Sequence, residues 1–216
     1  MGGDFLRMGC VGIVLLTACE SPQRPDLEHN EQLYRFTTYR TKVPPDRAVF
    51  VPPVADGRNA MPASAGAVPT VYMPENRWER PAAEMVDGVL REELRRAQLF
   101  TGLRDAASPA DLVLQVTLVA FHAGASEHPH GRSTFAESGI RCVVLGPADA
   151  KGERATLLDR TFGEKADSEV GMRPTNAMVL QGMTMRSVVQ KALLALDQSN
   201  VARSSAPAPA ATRKQD

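Results

Sequence analysis

The chain has 216 residues, with 25 basic and 25 acidic side chains and a formal net charge of zero. It lacks the basic excess of a general nucleic-acid binder. Hydrophobic residues make up 43% of it, enough for one buried core. Of the three cysteines, Cys10 and Cys19 fall in the N-terminal region and only Cys142 lies in the body, so no intrachain disulfide is expected there.

At the N-terminus Arg7 supplies a positive charge, weakened by Asp4, and residues 9–16 form an apolar core too short to span a bilayer. Leu16-Thr17-Ala18-Cys19 follows. Small residues ahead of a cut mark a secretory signal. A leucine, two small residues and a cysteine resemble the lipobox of bacterial lipoproteins. That resemblance implies cleavage before Cys19 by signal peptidase II and a diacylglyceryl group on its thiol. The alternative is an ordinary cleaved signal with an incidental cysteine. Glu20 stands where an aspartate would retain such a protein in the inner membrane, so the resemblance implies the outer membrane, facing the periplasm. An acylated terminus anchors a protein without spanning the bilayer. The expected organisation is a signal peptide over 1–18, a lipidated terminus and tether over 19–45, one domain over 46–200 and a disordered tail over 201–216.

Residues 20–30 are polar and without periodicity, as in a tether. Tyr34, Phe36 and Tyr39 alternate with polar residues, as in a strand or an extended arm, and Pro44-Pro45 breaks the chain. A strand is expected over 47–52, a turn over 56–59, a mobile loop over 61–68 and a short strand over 70–73. A helix opens at Pro81, where a missing N–H costs nothing. Met85, Val86, Val89, Leu90, Leu94 and Ala97 form its apolar face, and Arg91, Glu92, Glu93, Arg95 and Arg96 lie opposite. A short strand over 99–103 leaves the helix.

Residues 111–121 make the strongest strand. Leu112, Leu114, Val116, Leu118 and Ala120 share a face that should meet the helices. A loop over 124–133 separates it from a strand over 135–145, and another strand runs over 154–162. The last connection is too short for a crossover, so this is an antiparallel meander. Pro174 opens a second helix, with Met178, Gly182, Met185, Val189, Ala192, Leu193 and Leu196 as its stripe. The Ala-Pro repeats after Ser204 read as a disordered tail.

Reactive constellations are sparse. Glu127, His128 and His130, with His122, are the one cluster of metal-ligand types, and a polar hairpin loop is the plainer reading. Cys142 lies on an apolar strand face with no activating base beside it in sequence. Ser133, His122 and an aspartate form a triad only on paper, without a Gly-x-Ser-x-Gly elbow. No glycine-rich phosphate loop is present. The methionines at 172, 178, 183 and 185 read as core filling, and Trp78 as packing beside the helix start. The charged helix face around Arg91, Glu92 and Arg95 is a candidate partner surface. No cofactor and no catalytic residue are expected.

Val49-Phe50-Val51-Pro52-Pro53-Val54 is similar to the first strand of envelope lipoproteins of the curli-secretion and GNA type. Asn76-Arg77-Trp78-Glu79-Arg80-Pro81, followed by Leu90, Leu94 and Leu99-Phe100, resembles the PqiC-like auxiliary lipoproteins of ABC-type and MCE lipid-transport systems. The likeness runs over 47–200. It departs at Ala97-Gln98, where such families often have Ser-Gly, which removes the glycine of a left-handed helix cap. The resemblance implies no catalytic residues and a tendency to form rings. The fold expected is α+β, a two-layer sandwich of a small, mixed, largely antiparallel sheet with two main helices on one face. Three functions follow as expectations: a non-enzymatic accessory or assembly component of an envelope transport system, a lipid or small-ligand carrier, and, third, a metal-dependent hydrolase. The partners expected are the membrane through Cys19 and a protein partner or further copies of the chain.

Overall fold

The computed structural model describes residues 24–58, 70–168 and 176–203. The signal segment, Cys19, the 61–68 loop, Met172, Pro174 and the tail after Arg203 lie outside the described residues. Among the described residues the fold is α+β: one mixed sheet of seven strands with two α-helices. Its backbone is the expected meander of β5 (Leu112–His128), β6 (Gly131–Ala148) and β7 (Arg154–Asp167), antiparallel throughout. Three short strands share the free edge of β5. They are β1 (Val49–Phe50) and β2 (Ala55–Asp56), both parallel to it, and β3 (Thr70–Tyr72), antiparallel. A further two-residue strand, β4 (Leu103–Arg104), pairs with β1 in parallel. Prolines 52 and 53 explain why the 47–52 strand keeps only two residues, since proline cannot donate to a ladder.

Strand β5 carries a correction to the expected alternation. Leu112, Leu114, Val116 and Leu118 do face the helices; Leu112 pairs with Val49 of β1, and Leu114, Val116 and Leu118 pair across to Val144, Cys142 and Ile140 of β6. The register then slips between Leu118 and Ala120. A bulge inserts one residue and reverses the faces beyond it. Phe121, Ala123 and Ala125 therefore point inward in place of Ala120, and all three are buried. The expected 124–133 loop is also strand: β5 and β6 run on to a hairpin in which His128 pairs with Gly131 across Pro129-His130.

Helix α1 (Ala82–Ala97) begins one residue later than expected, with Pro81 as its cap residue, and its six predicted apolar positions are all buried. Gln98 itself takes the left-handed cap position, with φ of 53°. The cap thus forms without glycine, at a cost of roughly 1–2 kcal/mol. Helix α2 (Ala177–Gln198) is capped by the Asn176 side chain, which accepts from the Met178 N–H at 2.9 Å. Both helices begin at the same end of the sheet. Trp78, just ahead of α1, packs on Phe121 at 5.5 Å between ring centroids, and Leu180 of α2 packs on Ala123 and Ala136. At the other end, Thr41 bonds to Ala97 of α1 and to Asp197 of α2. Among the described residues no helix is long and apolar enough to cross a membrane.

The largest departure from expectation is the segment before residue 46. In place of a tether, residues 24–33 turn against the body and lead into the expected arm over 34–39, so that 24–46 form a strap along both helices, with Leu27, Leu33 and Tyr34 buried in the main core. The C-terminal boundary moves as well, because Val201 and Ala202 join the same core and Asp46 N–H donates to the Ala202 carbonyl. Polar residues 20–32 hid the strap because its apolar anchors are too widely spaced to form a period.

Candidate functional site

Three carboxylate clamps hold the strap to the body. At its start Asp26, 3% exposed, accepts from Arg80 Nε at 2.8 Å, and Glu28 pairs with the same guanidinium. In its middle Glu93 of α1, fully buried, accepts from the Tyr34 hydroxyl at 2.9 Å. The Thr37 N–H and hydroxyl each reach the same carboxylate at 2.7 Å. At its end Asp197 of α2 accepts from Tyr39, from Thr41 at 2.9 Å and from Arg203. Two glycines let the strap lie this close. A Cβ on Gly182 of α2 would stand 1.6 Å from the Leu33 carbonyl oxygen, and one on Gly88 of α1 would stand 1.5 Å from the Glu28 carboxylate.

Glu93 was expected on the charged face. Its true side was readable from spacing: it stands four residues after Val89 and four before Ala97, on the buried stripe. The Tyr34 phenol is raised by burial and by the facing Glu93 carboxylate, so it stays neutral and donates.

The outer clamps make the strap acid-sensitive. Burial alone would raise the Asp26 carboxyl, but hydrogen bonds from Arg80 and the Glu28 N–H outweigh it and hold the group below its ordinary 3.8. Burial likewise opposes ionisation of Asp197, and Tyr39, Thr41 and Arg203 together reverse it. A carboxyl depressed in the fold contributes stability that is present above its unfolded value and lost as pH falls through the folded one. Urea midpoints are therefore expected to hold above about pH 5 and to fall below about pH 4. Asp197→Asn should flatten that acid limb while lowering the neutral plateau. A variant with an unaltered acid limb would remove Asp197 from this account.

The sequence candidates divide. Arg91 is not a free surface group: it bonds Asp87 at 2.7 Å and the Val51 carbonyl at 2.6 Å, tying α1 to the end of β1. Arg95 is exposed and Glu92 is half-buried; Glu92 pairs with Arg95 at 3.5 Å and with Arg96, whose guanidinium lies 4.2 Å above the Phe36 ring of the strap. Glu127 pairs with Arg132 at 3.4 Å and His128 bonds Ser133 at 2.9 Å, both within the hairpin. Among the described residues, Asp26, Glu28 and His29 are the group that gathers ligand atoms within 4.8 Å, and Glu127, His128 and His130 do not gather so. Arg80 sits on both of those carboxylates, which makes the group an ion-pair clamp. His122 lies on the sheet face away from the helices, edge-on to Tyr72 at 6.2 Å, and burial lowers its basicity. Cys142 is fully buried, and burial pushes its thiol up to about 12, a structural cysteine with no nucleophilic character at neutral pH. Met185 fills the core as expected, whereas Met183 faces outward.

An open cleft of about 460 Å³ lies at the end where both helices begin. Val71, Met73, Ala177 and Met178 line it, and Arg77 and Arg132 stand at it. No sequence signal pointed there, because its walls come from four separate stretches of the chain.

No family model and no curated protein matches the chain. Solved structures with partial likeness include a Xanthomonas campestris protein of the DUF330 family, at 11% identity and TM-score 0.45, covering 77% of this chain and 92% of that one. A hypothetical protein of Chlamydia trachomatis follows at 9% identity and TM-score 0.45, covering 73% and 99%. A minor lipoprotein of Acinetobacter baumannii matches at 10% and 0.39, covering 74% and 97%. A bacterial lipoprotein is thus among the structural neighbours, and likeness at this level fixes neither activity nor partner.

Proposed function

We propose that the chain is an outer-membrane lipoprotein facing the periplasm, anchored through Cys19. It serves, without catalysis of its own, as an accessory or assembly component of an envelope transport system. One observation carries the reading. The strap begins directly downstream of the Leu16-Thr17-Ala18-Cys19 box and is clamped to the body from Pro25 and Asp26 onward. A domain that incorporates its own N-terminal segment suits a protein whose N-terminus bears the load of attachment. Docking to a partner, or to further copies of the chain, falls to the exposed Arg95 and the half-buried Glu92 paired with it. A carrier holding its ligand between helices and sheet is not supported, since Met85, Val89, Leu114, Leu118 and Val189 fill that layer.

The test is membrane fractionation of cells making the wild type and a Cys19→Ala form exported behind an ordinary cleavable signal. The wild type is expected in the outer-membrane fraction and Cys19→Ala in the soluble periplasm. Persistence of Cys19→Ala in the membrane would sink the anchor. Crosslinking the same cells should give a discrete adduct with the wild type that is lost on Glu92→Lys with Arg95→Glu.

A further inference from the structure

The short distance between anchor and clamp orients the molecule, an inference that rests on the Cys19 anchor proposed above. The Pro25 carbonyl accepts from the Glu79 N–H at 3.2 Å, so the backbone is fixed at that point. Residues 19 to 25 span at most roughly 20 Å even when fully extended. A free tether reaching residue 45 would let the domain tumble, whereas this one keeps the region around Glu79 close to the bilayer. Arg77 stands two residues from Glu79, and the open cleft begins there.

The chemistry of the cleft fits what it would meet. Val71, at 59% exposed, is the most exposed large apolar side chain among the described residues, and Met73 and Met178 continue the apolar wall. Arg77 has no ion-pair partner among the described residues, and its neighbour Glu75 is already committed to Arg58. Among the described residues Arg132 has only the exposed contact with Glu127. Guanidinium groups bind phosphate oxygens through paired N–H donors, and an apolar wall beside them suits the upper part of an acyl chain. We infer that this end of the molecule rests on the membrane and that the cleft receives an anionic phospholipid, its phosphate between Arg77 and Arg132 and its chain along Val71, Met73 and Met178.

The test uses the mature chain from residue 19 with Cys19→Ala, so that no acyl group contributes. Co-sedimentation is measured with phosphatidylcholine vesicles, with and without phosphatidylglycerol. Binding is expected only to the anionic vesicles. It should weaken about tenfold or more on Arg77→Ala with Arg132→Ala, and comparably on Val71→Asp. Arg40→Ala with Arg104→Ala, which removes two exposed arginines at the far end, should leave binding unchanged. Matching circular dichroism spectra and melts exclude unfolding. No binding to either vesicle, or equal loss from both arginine pairs, overturns the proposal. The mass of the wild type extracted from membranes reports acylation separately. An unacylated wild type refutes the anchor whatever the vesicles show. An acylated wild type whose binding ignores Arg77 and Arg132 refutes the cleft alone.

Discussion

Glu93→Ala is expected to cost about 3–5 kcal/mol of stability, the range found when one side of a buried charged network is removed. The carboxylate takes three hydrogen bonds from the strap, and its loss strands the Tyr34 hydroxyl and both donors of Thr37 in a buried site. Each stranded donor costs about 1–3 kcal/mol unless the strap lifts and water reaches it. Lifting exposes Leu27, Leu33 and Tyr34, whose burial contributes about 1.5–3 kcal/mol per aliphatic side chain. The two routes of relaxation therefore cost similar amounts, and neither escapes the penalty. For a chain of this size the melting temperature should drop on the order of 10 °C. Hydrogen exchange should quicken first over residues 24–46. Glu93→Gln keeps one acceptor oxygen but turns an amide N–H₂ toward a donor, so its loss should be intermediate. A drop below about 1 kcal/mol for Glu93→Ala would show that the strap is held by apolar contact alone.

The two helix glycines should respond differently to the same substitution. Alanine in a helix interior is favoured over glycine by about 1 kcal/mol, and that gain is common to Gly88→Ala and Gly182→Ala. What opposes it differs. At Gly182 the new methyl meets backbone, with the Leu33 carbonyl carbon at 2.4 Å behind its oxygen, and backbone clamped at both ends cannot step aside. At Gly88 it meets the tip of the Glu28 side chain, which can rotate away at the expense of its part of the Arg80 pair. Gly182→Ala should therefore be destabilising by about 1–3 kcal/mol, and Gly88→Ala should lie within about 0.5 kcal/mol of the wild type. Urea midpoints of the two variants decide it. Equal losses would mean that the strap does not cross α2 at Gly182.

The meander and both helices were legible because each repeats its apolar residues at its own period over many residues. The exposed position of Arg95 and Arg96 followed from the same wheel. Three functional features were not legible, each for a local reason. The strap has no period, only single anchors at Leu27, Leu33 and Tyr34. The reversal of faces after Leu118 depends on one inserted residue, which leaves the composition of the strand unchanged. Arg91 looks on the wheel like its charged neighbours, and only the nearby end of β1, brought in by tertiary packing, turns it inward.

The residue order by itself determined the α+β class, the antiparallel order of the three long strands, the helix faces and the candidate acylation site at Cys19. These rest on local spacing, which a chain carries before it folds. Tertiary structure alone decided that residues 24–46 belong to the body and that α1 and α2 start at one end. It also decided that Arg77 and Arg132 line one cleft with Val71, Met73 and Met178. Such facts come from residues far apart in the chain brought together: Tyr34 bonded to Glu93, Tyr39 to Asp197, and Val71 and Met178 lining one cleft. No local pattern encodes them, because each is chosen by the burial and hydrogen bonding of the whole fold.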